Sequence, residues 1–250
     1  MQYKHFVPLS LALALCATVS HAATGRPTVS VPTSVKRADF GREQPSRDAR
    51  QVVNDVVASG DNEGAHFIVL DKVNARVYVF EPGGRLLAAA PALLGLAHGD
   101  DTVPGIGDKK IADIKPEERT TPAGRFVAEM GQSSSRGEDV VWVDYDSAVS
   151  MHRVVTSNPK ERRLQRLATR TAKDNRISYG CINLPKAFYE KWVGPTVAQS
   201  STIIYVLPET RSPREVFGFM EASRVAGRQA PARSLRAGPP EGANWPTIDQ

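Results

Sequence analysis

Apolar positions change their spacing along the chain, and each change marks an expected element. Val52, Val53, Val56 and Val57 recur at helical spacing within residues 48–58, and Ser59-Gly60 closes the pattern, so a short helix is expected there. Residues 66–70 and 75–80 are short runs rich in Val, Ile and aromatics. The turn Glu81-Pro82-Gly83-Gly84 separates the second of them from residues 85–94, which predicts a strand followed by a β-hairpin. Residues 126–130, 140–143 and 201–207 are further strand candidates. Two helices interrupt the strands. Residues 159–169 carry Leu164, Leu167 and Ala168 on one face and charges on the other. Residues 185–193 follow Asn183, a good N-cap, and hold Phe188, Tyr189 and Trp192. Short strands with turns between them predict a mainly β fold, a sandwich or mixed sheet with short helices, rather than a parallel βαβ sheet.

The ends read differently. Lys4 and His5 precede an apolar run, residues 6–19, and Ser20-His21-Ala22 places small residues at the −3 and −1 positions of a cleavage site. This is the pattern of a secretory signal peptide, too short and wrongly flanked for a spanning helix. Beyond Pro208 the composition shifts to Arg, Ala, Gly and Pro, and from about Gly227 few apolar residues remain to offset the entropy of ordering. The expected organisation is a signal peptide over 1–22, a linker or leader with one short helix over 23–64, a catalytic-type domain over 65–208 and a largely disordered extension over 209–250.

The formal charge of +5 comes from 32 basic and 27 acidic residues interspersed along the chain, without a zinc-finger spacing, an arginine block or an aromatic RNA-binding signature. Nucleic acid is therefore not expected as a partner, whereas an anionic polymer or envelope surface suits this mild basicity. Contact with a membrane is expected only during export, and the protein is expected to be a monomer in the periplasm or cell envelope.

The sequence has two cysteines, and Cys16 would leave with the signal peptide, so Cys181 is the single thiol expected in the exported chain. A lone thiol in an oxidising compartment is either buried and inert or kept for its reactivity. Attack on a carbonyl needs the thiolate, hence a nearby imidazole, cation or helix N-terminus. The helix expected near Leu184 or Pro185 follows Cys181 closely enough to lend its dipole, and Gly180 permits a tight backbone with N–H groups turned to an oxyanion. His66, His98 and His152 remain as candidate bases once His5 and His21 are removed, and their positions in the sequence do not choose among them.

The hexad Ser178-Tyr179-Gly180-Cys181-Ile182-Asn183 resembles the Ser-His-Gly-Cys-(hydrophobic)-Arg/Asn signature of the L,D-transpeptidase catalytic domain. Thr121-Pro122-Ala123-Gly124-Arg125-Phe126 resembles that family's Thr-Pro-x-Gly-x-Phe segment, and Ile68–Asp71 with Ala75–Phe80 resembles its first hairpin. The resemblance spans about residues 67–207. It implies Cys181 as nucleophile and His152 as base, with the Arg153 carbonyl orienting the imidazole and Ser178 shaping the loop. It also implies Gly180 or Tyr179 with Cys181 as oxyanion donors, and Asn183 at the Arg/Asn position facing substrate. Tyr179 stands where the signature has histidine. His152 and Cys181 lie 29 residues apart, longer than is usual in the family, and residues 158–169 read as a helical insertion expected to cover the cleft.

The implied reaction is a two-step acyl transfer on peptidoglycan stem peptides through a Cys181 thioester, with no metal or cofactor. Cross-linking, D-amino acid exchange, protein anchoring and hydrolysis as an L,D-carboxypeptidase remain open as outcomes. Among rivals, a sortase needs an arginine shortly after its cysteine, and the next one here is Arg211; papain-like wall peptidases need a histidine after the cysteine, and none follows Cys181. No paired ligand spacing suggests a zinc peptidase. From another class, a non-catalytic envelope binding module would hold Cys181 buried and inert.

Overall fold

A computed structural model of the protein describes residues 37–133 and 137–222. The expected signal peptide, Cys16 and the tail from residue 223 onward lie outside the described residues. The fold is mainly sheet. Its strands are β1 (His66–Asp71), β2 (Arg76–Phe80), β3 (Leu86–Pro91), β4 (Leu94–Gly95), β5 (Gly124–Val127), β6 (Glu129–Gln132), β7 (Asp139–Asp144), β8 (Val149–Arg153), β9 (Arg176–Ser178), β10 (Ile182–Leu184) and β11 (Thr202–Val206). They form a five-stranded sheet in the order β3-β2-β1-β11-β5, a four-stranded sheet β10-β8-β7-β6 and the pair β4-β9. Most pairings are antiparallel, as expected, but β1 runs parallel to β11, β8 parallel to β10 and β4 parallel to β9.

The central strands read as unbroken apolar runs because both of their faces are covered. Ile68, Leu70, Val77, Val79, Ile204 and Val206 face the inter-sheet core with Val141, Val143, Met151, Ile182 and Leu184. The alternate residues Phe67, Val69, Tyr78, Phe80, Ile203 and Tyr205 pack under α1 (Arg47–Ser59) through Ala49, Val52, Val53 and Val56. Ser46 caps this helix by accepting the Ala49 N–H at 3.0 Å, and Gly60 ends it in the left-handed region. Each buried valine of α1 contributes about 1.5–3 kcal/mol. The helix is therefore a structural layer of the body.

The C-terminal side of Pro208 is also built in. Asp100 binds the backbone of residues 209–211, and Phe217 and Met220, around α5 (Pro213–Val216) and α6 (Phe219–Ala222), pack against Tyr205 and the α1 layer. Residues 209–222 thus belong to the packed body, across the shift in composition at Pro208.

Two expected helices are reshaped. Residues 159–169 break at Arg162, whose φ of 53° separates a short 3₁₀ turn, Pro159–Glu161, from α2 (Arg163–Ala168). The buried stripe is rotated: Leu167 stays buried with Arg163, while Leu164 and Ala168 are exposed. Asn183 is no helix cap. It lies in β10, and the helical run starts later, as α3 (Lys186–Phe188), a π turn over Tyr189–Val193 and α4 (Gly194–Gln199), with Pro185 at the cap position.

Candidate active site

β8 and β10 lie side by side in parallel, with Ile182 opposite Met151, Asn183 opposite His152 and Leu184 opposite Arg153. Side chains alternate along a strand, so Met151, Ile182 and Leu184 enter the inter-sheet core while Ser150, His152 and Asn183 share the other face. Cys181, two residues before Asn183, joins that face beside Ser150, whose Oγ lies 3.7 Å from Sγ. The sulfur also lies 3.7 Å from the Ala148 carbonyl, at a residue held at φ 51°.

His152 Nδ1 lies 2.7 Å from the Arg153 carbonyl oxygen. A carbonyl can only accept, so Nδ1 carries the proton and Nε2 is the basic nitrogen. Asn183 Nδ2 stands 3.4 Å from that Nε2. The side chain of Arg153 turns away, onto Asp139 and Glu190 and over the Tyr189 ring at 4.5 Å. His66 contacts Ser200 and His98 contacts Glu209, both outside this cluster.

The loop before Cys181 is bonded at nearly every turn. Ser178 Oγ donates to the Cys181 carbonyl at 2.6 Å and accepts the Gly180 N–H at 3.2 Å. That N–H, expected to face an oxyanion, is therefore committed to Ser178. The Gly180 carbonyl accepts from Thr121 Oγ1 at 2.7 Å, and this oxygen accepts the Gly95 N–H at 2.9 Å. Gly180 has φ +134°, and a Cβ there would stand 3.0 Å from the Thr120 carbonyl, so the position tolerates no side chain without strain. Tyr179 is half-buried, its ring 3.9 Å beneath the Arg119 guanidinium.

The expected helix dipole at the sulfur is absent from this arrangement. β10 intervenes, and four residues of extended chain put Pro185 about 13 Å beyond Cys181. The cluster is closed: Cys181 is 0% and His152 2% exposed. Ser150, Thr121 and Arg163 had no assigned part in the sequence reading. Ser150 could have been found as the residue two before His152 on one strand, but nothing local marks Arg163. Among the described residues no group of His, Cys, Asp or Glu could hold a metal ion, and no helix is long and apolar enough to cross a membrane.

No protein-family model and no curated protein matches the chain. Among solved structures it is similar to a variant of the helical cell-shape-determining protein Pgp2 of Campylobacter jejuni, at 15% identity and a TM-score of 0.41, over 72% of this chain and 62% of that one. It is also similar to the catalytic domain of an L,D-transpeptidase from E. faecium, at 15% identity and a TM-score of 0.32, over 58% and 98%. A third is the L,D-transpeptidase of Xylanimonas cellulosilytica, at 14% identity and a TM-score of 0.34, over 57% and 60%. The chain thus spans less than two thirds of the length of the Pgp2 chain.

Proposed function

We propose that the chain is a cysteine acyltransferase of the L,D-transpeptidase type, acting on peptidoglycan stem peptides in the cell envelope. The observation that supports it most is the pairing of His152 Nδ1 with the Arg153 carbonyl on the sheet face shared with Cys181. This leaves Nε2 as the nitrogen able to take a thiol proton. In the proposed first step Cys181 Sγ gives its proton to Nε2 and attacks the carbonyl of the third stem residue. The peptide bond to the terminal D-amino acid breaks, the leaving amine recovers the proton, and a thioester remains. An amine then attacks the thioester and gives its proton to His152 Nε2, a new amide forms, and Sγ leaves as thiolate. The Cys181 and Tyr179 N–H groups hold the oxyanion in this reading, each donor contributing on the order of 3 kcal/mol; the Gly180 N–H is engaged by Ser178.

Incubation with a defined tetrapeptide and an amine acceptor, read by mass, tests the reading. A cross-linked or exchanged product with an acyl adduct on the Cys181 peptide is expected; hydrolysed donor alone would make the protein a carboxypeptidase. The complete burial of Cys181 favours a second reading, a non-catalytic envelope module with an inert thiol. Resistance of Cys181 to every thiol reagent and donor in the folded protein would decide for that module.

A further inference from the structure

The segment between β8 and β10 sends one charged side chain into the site. Arg163 is 5% exposed while its neighbour Leu164 is 56% exposed, so the helix turns its guanidinium inward and its leucine to solvent. Arg163 Nε meets Glu161 Oε2 at 2.5 Å, a partner two residues away, and Nη1 donates to Asn183 Oδ1 at 2.6 Å. The second bond fixes the orientation of the Asn183 amide. Nδ2 is thereby directed to His152 Nε2 at 3.4 Å and to the Cys181 carbonyl at 3.5 Å. A guanidinium is a planar fork matched to the two oxygens of a carboxylate. The charge of Arg163 is paired with Glu161 on its own segment, whereas across the site the guanidinium meets a neutral amide oxygen, a weaker partner than a carboxylate placed there would be.

We infer, resting on the acyl-transfer reading above, that Arg163 selects donors by their free carboxylate. The terminal carboxylate of a stem peptide draws the guanidinium from Asn183. The Asn183 amide, no longer held, withdraws from His152 Nε2, the nitrogen that receives the thiol proton. Arg163 is thus both the latch of the covering segment and the residue that couples its release to the correct substrate.

The test uses the purified full chain, with Cys181 followed on its own peptide. Two tetrapeptide donors, one with a free terminal carboxylate and one with a carboxamide, are compared for acylation. Iodoacetate and iodoacetamide are compared for alkylation. Wild type is expected to favour the free acid by roughly 50-fold, Arg163→Gln by no more than about threefold, and Arg163→Lys to fall between. The iodoacetate-to-iodoacetamide ratio is expected to drop about tenfold in Arg163→Gln. Ratios equal in wild type and Arg163→Gln overturn the inference. Should wild type form no acyl adduct with either peptide, the acyl-transfer reading falls, and the alkylation ratio alone decides the role of Arg163. Should neither alkylating agent reach Cys181 in wild type while the free-acid donor acylates it, alkylation in Arg163→Gln supports the latch and continued protection overturns it. Melting temperatures identify a variant that fails to fold, in which case Arg163→Lys, which keeps the charge but loses the fork, carries the comparison.

Discussion

Two buried polar clusters are joined through Thr121, and they are built on opposite plans. Around Lys72, which is 1% exposed, every donor is used: Nζ binds the Gly99 carbonyl, Asp100 Oδ1 and the Thr121 carbonyl at 2.5, 2.9 and 2.9 Å. Asp100 in turn accepts from Lys72, from the Glu209, Thr210 and Arg211 N–H groups and from the Thr210 hydroxyl. Glu209 pairs with Arg176. Around Cys181 the backbone is held by short bonds from Ser178 and Thr121, while the reactive side chains meet at longer range: Ser150 Oγ and the Ala148 carbonyl lie 3.7 Å from the sulfur, and Asn183 Nδ2 lies 3.4 Å from His152 Nε2. A saturated buried network fixes one geometry, whereas loosely bonded groups can exchange partners with a substrate. The first cluster is therefore read as the frame and the second as the moving parts. Thr121 connects them, taking the Lys72 ammonium on its carbonyl and holding the Gly180 carbonyl with its hydroxyl.

That contrast can be broken most directly at the nucleophile. Cys181→Ala is expected to abolish adduct formation with stem peptides and with a carbapenem, read by intact mass, while the melting temperature stays near wild type. More than trace turnover in this variant would remove Cys181 from the chemistry. His152→Ala is expected to slow acylation by about 10²–10⁴-fold at neutral pH. Its rate should recover partly as pH approaches the free thiol value of about 8.5. Equal losses at His66 or His98, with His152→Ala unaffected, would move the base elsewhere.

Lys72→Met should act on the other cluster in the opposite sense. It removes the buried cation shared by Asp100 and the Gly99 and Thr121 carbonyls and is expected to cost about 3 kcal/mol in urea unfolding. A loss of acylation with unchanged stability would contradict the division into frame and moving parts. Acid should unmake the same cluster. Burial works to raise the Asp100 carboxyl, but the Thr210 hydroxyl, the Glu209 N–H and Lys72 hold it well below the usual carboxylate range. Burial likewise works to raise Glu209, yet the Gly99 N–H, Arg176 and Lys72 hold it low. Both folded-state values lie below the unfolded ones, so their stabilisation is complete above roughly pH 5 and is lost as pH falls through the folded values. Unfolding free energies from pH 7 to pH 3 should show this decline, and a flat profile would mean that neither carboxylate is linked to folding.

The smallest effect is expected at Arg153, whose carbonyl rather than side chain holds His152. Arg153→Ala should lose about 1 kcal/mol of stability with its partly exposed ion pairs and leave acylation within a few-fold of wild type. A loss as large as that of His152→Ala would show that the side chain itself positions the site.

Legibility in the sequence followed burial. β1, β2, β7 and β11 were visible as apolar runs because they are covered on one or both faces, and α1 because one valine stripe meets the sheet. β8, β9 and β10 gave no such signal, because they are short and alternate core residues with Ser150, His152, Ser178 and Asn183. The strands that carry the candidate site were thus the ones that hydrophobic pattern could not reveal.

By itself the sequence determined the mainly β character, the α1 helix and a thiol in a Gly-Cys loop with a histidine upstream, because these depend on local periodicity and residue identity. Tertiary structure alone decided that Asn183 stands beside His152 instead of capping a helix, since that placement follows from the parallel register of β8 and β10. It also decided that Arg163 is buried and Leu164 exposed, since the turn at Arg162 rotates α2 against the periodicity of its own side chains. Both outcomes arise from contacts between residues about 20 to 30 positions apart, which no window of local sequence contains.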